Sequence, residues 1–267
     1  MAPVIGVFDS GFGGLTVLSE LMNVLPGADY LYFGDTARLP YGSKSAHTVA
    51  KYAISSIHFL EQHGAEALVI ACNTATALAL DAIRDATRLP VIGVVDPGAE
   101  RAAQLSSSKS AAVIATEATI ASHAYRKALV SRGLKVEEKA CPLLVPLVEE
   151  GWVEHPVTEQ VARIYLDGIF QNGQNGGGNI DVLVLGCTHY PLIRPVLRRI
   201  VPPEVRIVDS AESTAHAAAQ QLSQSSTLGG AGSLRCFATD SVEKFQRLGG
   251  RFLGRPLEKV ELVDIEK

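Results

Sequence analysis

The sequence is short of sulfur and of large aromatics: 267 residues hold one tryptophan, two methionines and four cysteines. Four cysteines without a Cys-x-x-Cys pair argue against a disulfide-stapled scaffold and against the usual structural zinc spacings, so no metal is expected. Charge of one sign is not in excess either. Twenty-four Lys+Arg stand against 28 Asp+Glu, a formal net charge of −4, which lacks the basic footprint of a nucleic-acid binder. No apolar run reaches the ~18 residues that span a bilayer, so no membrane partner is expected. The N-terminal MAPVIGVFDSGFGG has no basic n-region and no long apolar h-region. A secretory signal is therefore not expected, and the thiols are expected to be reduced in a cytoplasmic chain. What is plentiful is apolar surface, with 47% hydrophobic and 19% charged residues, enough for a core and too much for disorder over most of the chain.

Short β-branched runs alternate with helical periods. VIGVF (Val4 to Phe8), ALVIA (Ala67 to Ala71), VIGVV (Val91 to Val95), AAVIA (Ala111 to Ala115), DVLVLG (Asp181 to Gly186) and VRIVD (Val205 to Asp209) read as buried strands. Leu15 to Leu25, His47 to His63, Thr74 to Thr87, Thr119 to Ser131 and Thr158 to Phe170 read as helices. Strands separated by helical stretches of this length predict βαβ units, hence an α/β fold with mostly parallel sheets flanked by helices. Near-continuous apolar strands mean that both faces are covered. Asp96-Pro97-Gly98, which stops one strand series before another begins, is the expected boundary between two lobes. QNGQNGGGN (Gln171 to Asn179) and SQSSTLGGAGS (Ser223 to Ser233) read as flexible surface loops by composition.

A weak internal repeat bears on function. ALVIACNTATALALDAI and DVLVLGCTHYPLIRPVL superpose as a buried strand, a small residue, a cysteine, a threonine within two positions and an apolar helix. Cys72 and Cys187 thus occupy equivalent places at the carboxyl end of a strand, where open α/β sheets bind ligands. Two lobes facing each other would bring the thiols to opposite sides of one ligand. A helix N-terminus there is expected to lower a thiol towards neutral pH. A lone cysteine is usually a small core residue, and Cys236, inside an apolar strand, reads that way. A duplicated strand–Cys–Thr pattern reads as chemistry.

Other segments supply polar groups. DSGFGGL (Asp9 to Leu15) fails the dinucleotide fingerprint and lacks the Gly-Lys-Ser/Thr of a phosphate loop. It reads as a tight turn placing Asp9 and Ser10 at a cleft, where the carboxylate could bind an ammonium, orient a thiol or simply cap a helix. GDTARLPYGSKS is a long turn-rich connection whose Tyr41, Gly42 and Ser43 could close on a ligand. Asn73-Thr74 and Thr188-His189 follow the two cysteines and offer donors suited to a carboxylate. His189 could share a proton with Cys187. Thr116 and Thr119 could cap a helix or contact a ligand, and the neighbouring Glu149 and Glu150 could be solvated or functional.

VFDSGFGGL, YFGDTARLPYGSKS, ACNTAT, PLVEEG and LGCTHYPL, spread in order from Val7 to Leu192, resemble the glutamate racemases of bacterial cell-wall synthesis, a family within the aspartate/glutamate racemase superfamily. The resemblance implies two pseudo-symmetric α/β lobes with the active site in the cleft between them. The chain would return to the first lobe near its end: residues 1–97 with 209–267 would carry Cys72, and 98–208 would carry Cys187. It implies a homodimer that inverts the Cα of glutamate without pyridoxal phosphate or any other cofactor, and so supplies D-glutamate to peptidoglycan. Cys72 and Cys187 would be the acid/base pair, with Asp9, His189 and Glu149 as auxiliary groups. Asp9, Ser10, Tyr41, Gly42, Ser43, Asn73, Thr74, Thr116, Thr119, Thr188 and His189 would contact substrate. Asp96 in VVDPGA departs from the family pattern, which has Glu. Three other readings compete: a cysteine hydrolase or acyltransferase with Cys187 as nucleophile and His189 as base, an amino-acid binding protein without turnover, and a racemase acting on aspartate or hydantoins.

Overall fold

Ten strands lie in two sheets in a computed structural model, which describes residues 3–170, 179–222 and 232–265. In chain order they are β1 (Val4–Asp9), β2 (Asp29–Gly34), β3 (Ala67–Ile70), β4 (Val91–Gly93), β5 (Ser110–Ala115), β6 (Lys135–Ala140), β7 (Val182–Gly186), β8 (Arg206–Asp209), β9 (Leu234–Ala238) and β10 (Val260–Leu262). The helices are α1 (Leu15–Val24), α2 (Ala46–Gln62), α3 (Asn73–Ala86), α4 (Val95–Leu105), α5 (Glu117–Ser122), α6 (Ala124–Val130), α7 (Leu144–Glu149), α8 (Pro156–Phe170), α9 (Arg194–Ile200), α10 (Ser210–Leu222) and α11 (Val242–Leu253). The low-complexity stretches at 171–179 and 223–233 fall almost wholly outside the described residues.

The first sheet runs β10-β9-β2-β1-β3-β4 and the second β6-β5-β7-β8. Every pairing among the described strands is parallel. The order β2-β1-β3-β4 is matched by β6-β5-β7-β8, so β1 corresponds to β5 and β3 to β7. In each sheet the strand order reverses between that central pair, and a crevice opens beyond the carboxyl ends at such a reversal. The register sets Phe8 beside Ile70 and Ala115 beside Gly186. Just beyond these pairs, Ser10 and Cys72 on one sheet and Thr116 and Cys187 on the other therefore emerge side by side. The two-sheet α/β architecture expected from the sequence is the one found.

One buried apolar cluster joins the sheets, running from Ile5, Val7 and Tyr32 through Ala112 and Ile114 to Leu183, Leu185 and Tyr190. Each large side chain buried this way stabilises the fold by roughly 1.5–3 kcal/mol. Cys236 is buried in β9 as core. The ends of several helices have visible causes. Ser45 caps α2 by accepting from Thr48 N at 3.3 Å, and Gly64 takes the left-handed φ of +94° just beyond its end.

Two readings of the sequence need correction. VIGVV is a strand only to Gly93, because Val94 already has helical angles and α4 begins at Val95. Asp96-Pro97-Gly98, the expected boundary between lobes, is helical. It forms the first turn of α4, where proline's missing N–H breaks no helical bond, and α4 packs on α6, α10 and β7. Asp96 pairs there with Arg132 at 3.5 Å. The single helix read over Thr119 to Ser131 is two, α5 and α6, broken at His123, whose φ is +55°. His123 Nδ1 and Arg126 Nε both reach Glu138 Oε2, at 2.8 and 2.7 Å, and hold the break.

Candidate active site

Cys72 ends the β3 segment and is itself the N-cap of α3. Its Sγ accepts from Ala75 N at 3.4 Å and donates to Ser10 Oγ at 3.5 Å. Cys187 follows β7 in the same way, but a single 3-10 turn over Tyr190–Ile193, capped by His189, precedes α9. The repeat is thus faithful up to each thiol and diverges after it, where Pro191 enters the first turn of the second copy.

The two thiols line one cavity of about 210 Å³. Ser10, Tyr41, Gly42, Ser43, Cys72, Asn73 and Thr74 reach it from the first sheet's loops, and Thr116, Glu149, Cys187, Thr188 and His189 from the second's. Of the residues expected to contact substrate, Asp9 and Thr119 stand behind this lining. Thr119 is buried and bonds Thr74 and Thr116 through its hydroxyl, at 3.2 and 2.9 Å. Thr74 Oγ1 also lies 3.0 Å from Thr116 Oγ1, a hydrogen bond between the two halves. The Tyr41 hydroxyl is committed to Asp35 Oδ2 at 2.5 Å.

Several lining residues were missed by sequence reasoning: Leu39, Pro40, Glu117, Pro142, Val145 and Pro146. Pro142, Val145, Pro146 and Glu149 recur at helical spacing, so α7 and the turn before it present one face to the cavity, a period that PLVEEG alone was too short to display. Glu117 is exposed at the first position of α5, where an acidic residue suits any helix start and gives no hint of a ligand.

The surroundings of the thiols differ. His189 places Nδ1 3.9 Å from Cys187 Sγ and Nε2 3.3 Å from Glu149 Oε1. Burial by itself pushes His189 down, but Cys187 and Glu149 outweigh it and raise the imidazole to about 10, so it is cationic at neutral pH. Glu149 is held low despite burial, by His189 and by Lys244 3.6 Å from its Oε2. At Cys72 the expected lowering by a helix N-terminus does not occur. Burial and then the Asp9 charge push the thiol up to about 12, against hydrogen bonds from Ser10 and Ala75. Asp9 is also raised by burial. Its Oδ2 accepts from Gly11 N at 2.9 Å while its Oδ1 is buried without a partner. Phe12 and Phe252 enclose the His189 ring, with centroids 6.0 and 5.1 Å away. Thr16 Oγ1 donates to Thr188 O at 3.2 Å, tying the glycine-rich turn to the second thiol loop.

Among the described residues, no Lys or Arg lines the cavity. Its cation is His189, and its remaining polar groups are hydroxyls, one amide and two carboxylates. No group of three or more His, Cys, Asp or Glu side chains among the described residues is placed to hold a metal ion. No described helix is long and apolar enough to cross a membrane. The arrangement offers two sulfur acid/bases to one small ligand whose anionic groups would meet neutral donors.

Residues 16–218 match the family model for Asp/Glu/hydantoin racemases. The chain is 58% identical to a glutamate racemase of Koribacter versatilis, with 98% of each chain covered. Among solved structures, the glutamate racemase of Francisella tularensis in complex with D-glutamate superposes with a TM-score of 0.90 at 36% identity, covering 99% of this chain and 98% of that one. The glutamate racemase isoform RacE1 of Bacillus anthracis does so with a TM-score of 0.90 at 38% identity, covering 98% and 97%.

Proposed function

The chain belongs to the Asp/Glu/hydantoin racemase family and is an amino-acid racemase; from that premise we propose that its substrate is glutamate, interconverted between L and D forms by Cys72 and Cys187 without a cofactor. The observation that carries this reading is the delivery of two thiols to one cavity from equivalent strand ends of two matched sheets. Inverting a stereocentre requires a base on one face of Cα and an acid on the other, and the groups must exchange roles when the direction reverses.

The electrostatics favour a definite starting state. The base for L-glutamate is the thiol with His189 beside it, Cys187, and the buried Cys72 retains its proton. Cys187 then removes the Cα proton of L-glutamate, and Cys72 delivers its own proton to the opposite face. D-glutamate leaves with a proton on Cys187 and a thiolate at Cys72, and the reverse reaction begins from that state. His189 and Glu149 act on Cys187, Asp9 and Ser10 on Cys72. The carbanionic transition state has no electron sink, so it depends on preorganised donors in a dry cleft. Ser10, Ser43, Asn73, Thr74, Thr116 and Thr188, which line the cavity, would supply them. Tyr41 and Gly42 shape the same wall, and Thr119 steadies Thr74 and Thr116 from behind.

The reading includes two lobes, residues 1–97 with 209–267 and residues 98–208, a homodimeric assembly, and a cytoplasmic role in supplying D-glutamate for peptidoglycan. The Cys187–His189 contact would also suit a nucleophilic hydrolase, but that alternative leaves Cys72 without work. The test is optical. Purified, reduced enzyme with no added cofactor should erase the circular dichroism of pure L-glutamate. Loss of the L-aspartate signal with L-glutamate untouched would reverse the substrate assignment. Activity lost on metal stripping and regained on metal addition would reverse the cofactor assignment.

A further inference from the structure

Tyr125 is buried on α6, yet residues it touches belong to the two thiol loops. Its hydroxyl donates to Asn73 Oδ1 at 2.6 Å, and Asn73 directly follows Cys72. Besides its packing on α4, its ring shares with Ala115 the space a side chain at Gly186 would need. A Cβ there would stand 3.0 Å from both Tyr125 Cε2 and Ala115 Cβ, and Gly186 directly precedes Cys187. One phenol therefore bears on the neighbour of each thiol.

The same node includes the crossing between the sheets. Asn73 Nδ2 donates to Ser210 Oγ at 3.5 Å. Ser210 opens α10. Gly98 of α4 faces both, since a Cβ on it would lie 3.6 Å from the Tyr125 hydroxyl and from Ser210 Cβ. By α4 the chain leaves the first sheet, and by α10 it returns towards it. Asn73 lines the cavity. With Oδ1 taken by Tyr125 and one N–H by Ser210, its amide has a second N–H left for a ligand. Without that phenol the amide is free to turn, and an oxygen facing a carboxylate would repel it.

The geometry points to Tyr125 as a positioning residue for the racemisation proposed above, on which this inference rests: it holds the Asn73 amide with an N–H towards a substrate carboxylate and braces the two thiol loops against each other. No role was read for Tyr125 in the sequence, where it is one apolar position of a short helix.

Tyr125→Phe keeps the ring on Gly186 and removes only the hydroxyl. KM for both enantiomers should rise about tenfold, the scale of one hydrogen bond to a charged ligand, while kcat changes by less than about threefold. In an Asn73→Ala background the same substitution should alter KM by less than about twofold, because the amide it acts through is gone. Ser210→Ala, which removes the second partner of that amide, should raise KM in the same sense and carries the test if Tyr125→Phe does not melt cooperatively. An unchanged KM in the folded variant, or an equal effect with and without Asn73, overturns the inference while parental racemisation still stands. A parent enzyme that does not racemise glutamate overturns both readings.

Discussion

His189 turns one ring nitrogen to Cys187 Sγ at 3.9 Å, and Cys72 has no such cation beside it. Its neighbours are the Ser10 hydroxyl and the buried Asp9 carboxyl. The two thiols hold equivalent places in matched sheets but are not equivalent acids, and this asymmetry has consequences for reactivity, tolerance of substitution and pH.

Alkylation should be selective. Iodoacetamide reacts with thiolates, and burial and Asp9 push Cys72 up to about 12, whereas Cys187 has His189 rather than a carboxylate as its neighbour. At mildly alkaline pH, peptide mass spectrometry should find Cys187 modified first, with activity lost in step and glutamate protecting both. Modification of Cys72 before Cys187 would contradict the proposed resting state. Labelling confined to Cys141 or Cys236 with full inactivation would contradict the site itself.

The glycine-rich turn should not tolerate a methyl at Gly13. A Cβ there would collide with Thr188 Oγ1 and stand 2.6 Å from His189 Cε1 and Nδ1. Gly13→Ala should lower kcat about 100-fold, since displacements of this size at a catalytic group cost about that much, while the melting temperature falls only a few degrees. A variant with parental kcat would show that Thr188 and His189 need not sit where they do.

That close approach explains why DSGFGGL was conspicuous in the sequence without being interpretable. Its Gly13 serves a partner 175 positions away, and nothing within the segment names that partner. The thiols were legible for the opposite reason. Each depends on a local strand-end pattern, and the pattern occurs twice. The central strands of both sheets, β1, β3, β5 and β7, were legible because buried parallel strands read as continuous apolar runs. The start of α4 was not, because Val94 and Val95 extend the β-branched run of VIGVV and the turn to helix comes from packing on β7 and α10. The lowering of Cys72 expected from its helix terminus was overridden by desolvation, since the thiol packs in a buried cluster with Phe8 and Tyr41 from distant segments.

Stability should fall with rising pH through His189. Its folded value of about 10 lies above the ordinary 6.5, so the folded state binds the proton more tightly. The contribution is fully present below about 6.5 and is lost as pH rises through the folded value. The slope approaches about 1.4 kcal/mol per pH unit for one extra bound proton. Because Cys187 is itself one of the charges that raise the imidazole, the separable test is the other thiol. Cys72 is pushed up to about 12 by burial and then Asp9, above the ordinary value of about 8.5. Its contribution is present below about 8.5 and is lost as pH rises towards the folded value. Between about pH 8.5 and 10, denaturant melts should show the parent losing stability and Cys72→Ala losing clearly less. Equal slopes would mean that Cys72 is not held protonated.

Solvent isotope is the most exacting check on the division of labour. Enantiomers have equal free energy, so kcat/KM must be the same in both directions, and the ratio of rates cannot reveal which thiol serves which face. The origin of the hydrogen can. In D₂O the resting Cys72 carries a solvent deuteron, and Cys187 receives the substrate's proton. Early turnovers of L-glutamate should therefore give D-glutamate deuterated at Cα, while the remaining L-glutamate stays protiated, as read by proton NMR and chiral chromatography. A single base serving both faces would return part of the original proton to the product. Cys72→Ala and Cys187→Ala should each abolish racemisation, because each direction needs one acid and one base. With Cys187 intact, Cys72→Ala should still exchange the Cα proton of L-glutamate slowly, without inversion, because the group that removes that proton remains. Exchange of D-glutamate rather than L-glutamate by this variant would reverse the assignment of thiols to faces, and racemisation near the parental rate would end the two-thiol mechanism.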